Sequence, residues 1–342
     1  MTQRVMVVDG NSLVHRSFHA LAATGARRDD GAPIWAIRGL VTQLVAAAER
    51  VGPTRVVVGF DDPTHNHRRS RWPSYKAQRE EKLPTLVSQL DLAREVLDGL
   101  GIHVVTPDGW EADDVLASAA RLVADDGGVT VLVTSDRDAF ALIDESTSVL
   151  RVISGGVEGS PMLTPQRLHV LTGVRPEQYP DFAALRGDPS DNLPGVEGIG
   201  PKRAAALLTE FGDAESIFAE VDSGGDRVRT LVGPAVLRRL ADPSAQARWR
   251  HNRAVMAAQD GLDLGLTEDS GQLPYPADLV HRAINDLGLP GTALAARRVL
   301  GHVVEDGPQP SQPDPLAWDQ QAQWRSRPRM PQLPVDLQPT LF

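Results

Sequence analysis

The chain has 342 residues, no cysteine, 35 Lys+Arg against 45 Asp+Glu and a net charge of −10. That length allows one large domain or two modest ones with a sizeable core. The missing cysteines exclude disulfides, thiol nucleophiles and cysteine zinc sites, which fits a reducing compartment. No apolar run approaches the ~20 residues of a membrane span, and the N-terminus meets a polar turn by Asp9. A soluble cytoplasmic protein without a signal peptide is expected.

The elements follow in order. Residues 4–8 form a short β-branched run that predicts a buried strand, ending in the turn Asp9-Gly10-Asn11-Ser12. Helical periodicity runs through Ile37, Leu40, Val41, Leu44 and Val45. Residues 55–60 (RVVVGF) predict a second strand, which ends at Asp61-Asp62. Residues 63–82 are basic, contain Pro73, and set Trp72 and Tyr75 among Arg68, Arg69, Arg71, Lys76, Arg79 and Lys82. Aromatic faces among cations suit nucleic-acid strands, although a solvated loop has the same composition. His65 and His67 alone are too little for a zinc site. An amphipathic helix is expected over 86–100, then a strand over 102–106.

Trp110-Glu111-Ala-Asp113-Asp114 opens the next helix. Acids in a first turn complement the helix dipole, but three within four residues repel one another unless cations are near. A fourth strand, 129–134 (VTVLVT), leads to Ser135-Asp136-Arg137-Asp138, and 149–153 reads as a fifth. Helices are expected over 164–172, 176–186, 214–221, 228–241, 244–258, 277–287 and 294–302. There is no strong internal repeat. From about Glu305 the chain is proline-rich and poor in apolar residues.

Asp188-Pro-Ser-Asp191-Asn-Leu-Pro-Gly195-Val-Glu-Gly198-Ile-Gly200-Pro-Lys202-Arg203 sets two carboxylates, three glycines and two cations ahead of a helix starting near Pro201. Positive-φ glycines would let backbone N–H groups close on a phosphate facing the helix N-terminus. The two aspartates would need a metal ion between them and that phosphate.

Acids at successive strand ends form one constellation: Asp9, Asp61, Glu111, Asp113, Asp114, Asp136 and Asp138, joined by Asp188 and Asp191. In open parallel sheets ligands bind beyond the carboxyl ends of the strands. Turn chemistry also explains a single Asp after a strand. Oxygen donors of this density suit hard cations such as Mg²⁺ or Mn²⁺. Two such ions about 4 Å apart can bridge a phosphodiester and activate water. Discounting these nine acids brings the net charge from −10 to −1, so the global sign does not argue against nucleic acid.

The sequence resembles the structure-specific 5′-nucleases: bacterial 5′–3′ exonucleases, the nuclease domain of the large bacterial repair DNA polymerase, phage 5′-nucleases and flap endonucleases. The matching motifs are Val-Val-Asp9-Gly-Asn-Ser, Arg16-Ser-Phe-His-Ala-Leu, Phe60-Asp61, Tyr75-Lys76-Ala-Gln-Arg79, Glu111-Ala-Asp113-Asp114-Val-Leu-Ala, Thr134-Ser-Asp136-Arg-Asp138, and Gly187-Asp188 through Lys202. They run in family order over roughly residues 4–220.

The resemblance implies a mostly parallel twisted α/β sheet with helices on both faces, a PIN-like nuclease core over 1–175 and a helical arch about 62–100. A helical region would follow over 176–303, with a helix–three-turn–helix about 187–212, and then a tail over 304–342. It implies Asp9, Asp61, Glu111 and Asp113 at a first metal and Asp114, Asp136, Asp138, Asp188 and Asp191 at a second. Lys76 and Arg79 would polarise the scissile phosphate. Arg16, Arg68 and Tyr75 would meet DNA; so would Gly195, Gly198, Gly200, Lys202 and Arg203, with a K⁺ held by backbone carbonyls.

The implied substrates are branched or flapped DNA and RNA primer/DNA hybrids in replication and repair, handled by a monomer associated with the nucleoid. The arch region is short, and Pro73 puts its helical order in doubt. The roughly 120 residues after the core are too few for a polymerase domain. The terminal Gln338-Pro-Thr-Leu341-Phe342 is similar to pentapeptides that dock in the bacterial sliding clamp. A PIN-type ribonuclease or a branched-DNA binder without catalysis are the alternatives. The duplex-gripping stretch argues against the first and the complete acid set against the second.

Overall fold

The computed structural model describes residues 3–301, and the tail with Gln338, Leu341 and Phe342 lies outside them. Six strands, β1 (Arg4–Asp9), β2 (Arg55–Gly59), β3 (His103–Val105), β4 (Val129–Thr134), β5 (Thr147–Arg151) and β6 (Met162–Leu163), form one sheet in the order β3-β2-β1-β4-β5-β6. The first five are parallel, and β6 is antiparallel to β5. The order reverses at β1, which has β2 on one side and β4 on the other. The crevice beyond the tips of β1 and β4 is therefore the topological switch point, where open α/β sheets hold ligands.

Side chains alternate between the faces of a strand, and both faces here are covered. Met6, Val8, Val56, Val58, Val131 and Val133 face one apolar core. It is closed by α1 (Gly10–Leu21), α2 (Trp35–Val51) and, beyond the five-residue α3 (His67–Arg71), by α4 (Pro84–Gly99). Val5, Val7, Val57, Leu132 and Val149 face a second core. That core takes in α5 (Ala112–Asp125), α6 (Pro165–Thr172), α7 (Tyr179–Arg186), α8 (Pro201–Phe211) and α9 (Ala214–Asp222). Then come α10 (Asp226–Val232), α11 (Pro234–Leu240), α12 (Pro243–Met256), α13 (Ala277–Asn285) and α14 (Pro290–Val299).

Four differences from the sequence reading have physical causes. The turn expected after β1 is the first turn of α1, because the Asp9 carboxylate caps it by accepting the Ser12 N–H at 2.8 Å. The helix expected over 228–241 is two helices, since Pro234 cannot continue α10 and instead starts α11 at its first position. The expected arch has only the short α3, then turns, before α4 begins at Pro84. Finally, α13 and α14 supply Val280, Ile284, Ala293, Ala296 and Val299 to the core on the α2 face of the sheet. The C-terminal helices thus share a core with the α/β layer. Among the described residues no helix is long and apolar enough to cross a membrane.

Candidate active site

The row of strand tips carries the acids. Asp9 ends β1 and is 5% exposed. Its second oxygen accepts the Thr134 hydroxyl at 2.8 Å, across the β1–β4 crevice. Burial pushes this carboxyl up to about 7, and the charges of Asp61 and Asp136 add to that; the Ser12 and Thr134 hydrogen bonds oppose it. Asp61, two residues past β2, accepts Asn11 Nδ2 at 2.6 Å and the Ala112 N–H at 3.0 Å, while its own N–H donates to Asn11 Oδ1. Asn11 therefore fixes both the backbone and the side chain of Asp61.

Asp136 is exposed beyond β4, its N–H donating to Thr134 Oγ1. Burial first, then Asp136, Asp191 and Asp188, push Asp138 up to about 8. Asp113 is pushed well above the carboxylate range by burial and by Asp9, Asp136 and Asp138, with Lys76 opposing. Among the described residues neither the Asp113 nor the Asp138 carboxylate accepts a hydrogen bond. Two half-buried carboxylates with no donor among the described residues are groups that a cation would satisfy.

The acids on α5 have other fates. Glu111 caps the helix and is encircled: Lys76 Nζ at 2.6 Å and Asn66 Nδ2 at 3.1 Å reach Oε1, while Arg68 Nη1 and the Tyr75 hydroxyl, both at 3.0 Å, reach Oε2. Burial alone would raise its pKa, but Lys76 and Arg68 outweigh it and hold the carboxylate low.

Asp114 corrects an expectation. Its Oδ1 accepts Arg68 Nη2 at 2.6 Å and the Gln259 N–H at 2.8 Å; its Oδ2 accepts Arg68 Nη1 at 2.7 Å and the Glu111 N–H at 3.0 Å. With zero exposure and every lone pair engaged, it is a structural anchor and not a metal ligand. Arg68 is corrected with it. The guanidinium is 7% exposed and also donates to the carbonyls of Val255 and Ala257, so it ties α3 to the end of α12 and does not face DNA. Burial would lower its pKa, but the hydrogen bond and charge of Asp114 outweigh that and raise it. Tyr75 is 5% exposed with its hydroxyl on Glu111, so it is not placed to stack on a base.

Lys76 and Arg79 close the site from above. Lys76 adopts φ 54°, a conformation that costs an L-residue about 1–2 kcal/mol. What holds it there is a clasp between two loops. The Lys76 N–H donates to the Asp191 carbonyl at 3.0 Å, Asn192 Nδ2 donates to the Ser74 carbonyl at 2.8 Å, and Arg79 Nη2 donates to Asp191 Oδ1 at 2.6 Å. Lys76 Nζ is also 4.0 Å from Asp191 Oδ2. Burial raises the Asp191 pKa, against Lys76 and Arg79. Asp188 caps the next turn, accepting Ser190 N–H and Oγ.

The glycine-rich stretch keeps its helix but not its expected backbone. α8 starts at Pro201 as predicted, and Val196 and Ile199 are buried anchors for the turn before it. Of the three glycines only Gly198 takes a positive φ, 81°. Gly195 is required for another reason: a Cβ there would lie 2.0 Å from the Arg186 carbonyl oxygen. Gly200 caps α8 with open space around it. The Gly198 carbonyl accepts Arg203 Nη1 at 2.9 Å and the Gly195 carbonyl accepts Arg248 Nη1 at 3.4 Å. Lys202 is exposed at the start of α8.

Sequence reasoning left Asn11, Ser12, His15 and His19 without a role; with Arg16, expected to meet DNA, they recur at helical spacing along α1 and form its polar stripe. Burial, then Lys82, His19 and Arg79, push His15 down to about 4, so it stays neutral at pH 7. The i, i+4 recurrence was a usable signal, but it needed α1 to be recognised as a helix.

Asp62, His65 and Asp108 are the described residues whose ligand atoms gather within 4.8 Å of one another. Gly109 and Thr64 N–H groups, with the Thr64 hydroxyl, bind Asp62 and hold its pKa low, the mark of a turn. Among the described residues no three of the candidate ligand acids gather that closely.

The comparisons agree with this architecture. The family model for the 5′–3′ exonuclease N-terminal resolvase-like domain matches residues 4–170, and that for the 5′–3′ exonuclease C-terminal SAM fold matches residues 174–271. DNA polymerase I of Mycobacterium bovis is 37% identical over 284 residues, 83% of this chain and 30% of the relative. Thermostable DNA polymerase I of Thermus thermophilus is 39% identical over 219 residues, 64% of this chain and 25% of the relative. The chain thus spans under a third of the length of these relatives. A bacteriophage T5 flap endonuclease, solved as a pseudo-enzyme–product complex with DNA and metal ions, shares the fold. Its TM-score is 0.59 at 20% identity, over 88% of this chain and all of that one. The fold and the family models together define a nuclease of the phosphodiester-hydrolysing class. The chain belongs to the 5′–3′ exonuclease family.

Proposed function

We propose that this chain is a divalent-cation-dependent 5′ nuclease. It hydrolyses phosphodiesters in DNA and in RNA primer/DNA hybrids, at 5′ ends and at 5′-flap junctions, during replication and repair. The carrying observation is the acid row at the sheet's switch point, with Asp113 and Asp138 lacking any donor among the described residues. The DNA and metal ions in the T5 flap endonuclease complex and the DNA polymerase identity of the sequence relatives support the substrate class.

The donor set is all carboxylate oxygen, which suits Mg²⁺ or Mn²⁺. Asp9, Asp61, Asp113, Asp136, Asp138, Asp188 and Asp191 would hold the ions. Such ions, when bound, acidify a water and offset phosphate charge. The chain's own residues do the rest. Lys76 and Arg79 neutralise Glu111 and Asp191 in this structure. With the acids neutralised by cations, their donors are free to turn to the non-bridging oxygens of a phosphate, where negative charge develops. Glu111 then offers Oε1, and Arg68 and Tyr75 keep Oε2 in place. The exposed Lys202 and the α8 N-terminus are placed to hold backbone phosphate, which gives recognition by structure and not by sequence.

End-labelled 5′-flap DNA incubated in Mg²⁺, Mn²⁺ and EDTA tests the reading. Cation-dependent cuts near the junction are expected; flap binding without any cut would leave a DNA-binding scaffold. Lys76→Ala should slow the single-turnover step by about 10²-fold with little change in flap Kd. A normal rate would remove Lys76 from the chemistry.

Stability gives a readout independent of cleavage. Asp9 and Asp138 have folded-state pKa values raised from 3.8 to about 7 and about 8. The folded protein then holds more protons than the unfolded chain between pH 4 and 8, so stability in EDTA falls as pH rises through that window. Cations at one hundred times their Kd restore about 2.7 kcal/mol. The Tm gain from MgCl₂ should therefore grow from pH 5.5 to pH 8.5. A gain independent of pH would show that these carboxyls do not bind the ion.

A further inference from the structure

Lys76 sits at φ 54°, and nothing in a lysine's own chemistry keeps it there. The residues that visit this region readily are Gly, Asn and Asp. Rotation about N–Cα to a negative φ would swing the whole side chain. Whatever fixes φ therefore also aims Nζ, which lies 2.6 Å from Glu111 Oε1.

The hold comes from a loop more than a hundred residues further along the chain. Asn192 has φ 59°, which asparagine tolerates, and its N–H closes the turn Pro189–Asp191 on the Pro189 carbonyl at 3.2 Å. That turn presents two neighbouring groups to the lysine loop. The Asp191 carbonyl accepts the Lys76 N–H at 3.0 Å, and Asn192 Nδ2 donates to the Ser74 carbonyl at 2.8 Å. The residues beside them, Tyr75 and Leu193, are buried in one small apolar cluster with Val255, against which Trp72 packs.

The polar ties between these loops respond differently to cations. Arg79 holds Asp191 Oδ1, a carboxylate oxygen that the proposed ions would take, and its side chain is 48% exposed. That tie is weak and is the first to be lost. The Lys76 N–H and the Asn192 amide bind neutral carbonyls, for which no carboxylate-bound ion competes. They persist when Arg79 leaves.

We propose that Asn192 is a positioning residue for Lys76. Its amide, anchored on the Ser74 carbonyl, holds the loop so that Nζ stays over the acid row while it exchanges Glu111 for a phosphate oxygen. Asn192 acts through Lys76 and touches neither phosphate nor cation. The inference rests on the nuclease reading above.

The test is a double-variant cycle on the full chain, read by single-turnover cleavage of 5′-flap DNA at saturating enzyme and Mg²⁺. Asn192→Gly keeps the positive φ and removes the amide. It should slow cleavage about tenfold, through a lysine held less closely to its working position. Flap Kd should move by less than about threefold and the Mg²⁺ concentration for half-maximal rate by less than about twofold. Asn192→Asp keeps the φ and the size but has no donor, and should lose at least as much. The decisive reading is the pair. Lys76→Ala with Asn192→Gly should cleave as slowly as Lys76→Ala alone, about 10²-fold below the wild type, and not about 10³-fold below.

A normal rate in Asn192→Gly overturns the assignment, since the apolar cluster and the Lys76 N–H would then hold the loop unaided. Losses that multiply in the double variant also overturn it, as a defect in the fold would produce them whether or not Lys76 is present. So does a loss that excess Mg²⁺ restores, because Asn192 would then serve the neighbouring Asp191. Each of these leaves the nuclease reading standing, provided the wild type cuts. A wild type that cuts no flap overturns both.

Discussion

Asp136→Asn is expected to lower single-turnover flap cleavage at least about 10³-fold, some 4 kcal/mol of transition-state stabilisation, while flap Kd moves by less than about threefold. The asymmetry comes from where Asp136 sits. It is exposed beyond β4, and it is the backbone N–H, not the carboxylate, that Thr134 anchors. Asn keeps the shape and removes a charge that Asp9, Asp113 and Asp138 all feel. In EDTA the variant should therefore melt no lower than the wild type, and slightly higher if repulsion dominates. Parallel loss of cleavage and binding would count against a cation role. A lower Tm in EDTA would show that Asp136 supports the fold.

Arg68→Ala should destabilise the protein by about 3–5 kcal/mol. For a domain of this size that is a fall in Tm of roughly 10 °C. Removing the guanidinium strands Asp114 at zero exposure, takes one of two cations from Glu111, and frees the carbonyls of Val255 and Ala257. Arg68→Lys should recover only part of the loss, because an ammonium cannot make the paired contact with Asp114. If Arg68→Ala instead melted like the wild type and lost only flap affinity, the DNA-contact role expected from sequence would be right and the buried pairing misjudged. Double variants with Asp114→Asn should show strong non-additivity, since the two residues act as one unit.

These two residues mark the boundary of what the sequence reveals. Asp9, Asp61, Asp136 and Asp138 were legible because each follows a short β-branched run, and strand tips of a parallel sheet share one edge. Pro201 was legible as a helix start because its chemistry is local. Arg68 and Asp114 looked like a DNA contact and a metal ligand because sequence gives residue type and order but not partners. Their pairing spans 46 residues, and Arg68's contacts with the Val255 and Ala257 carbonyls span 187 and 189. α1 was missed because its start reads as a turn until Asp9 is seen to cap it.

By itself, then, the sequence determined the alternation of strands and helices, the acid at each strand tip and the family motifs, all set by neighbours along the chain. The tertiary structure decided which charges are paired and which are left wanting a partner. Among the described residues it locked Asp114 and Glu111 onto cations and left Asp113 and Asp138 without donors. The reason is electrostatic. Burial makes every unpaired charge costly, and whether a charge is paired depends on residues that only folding brings together.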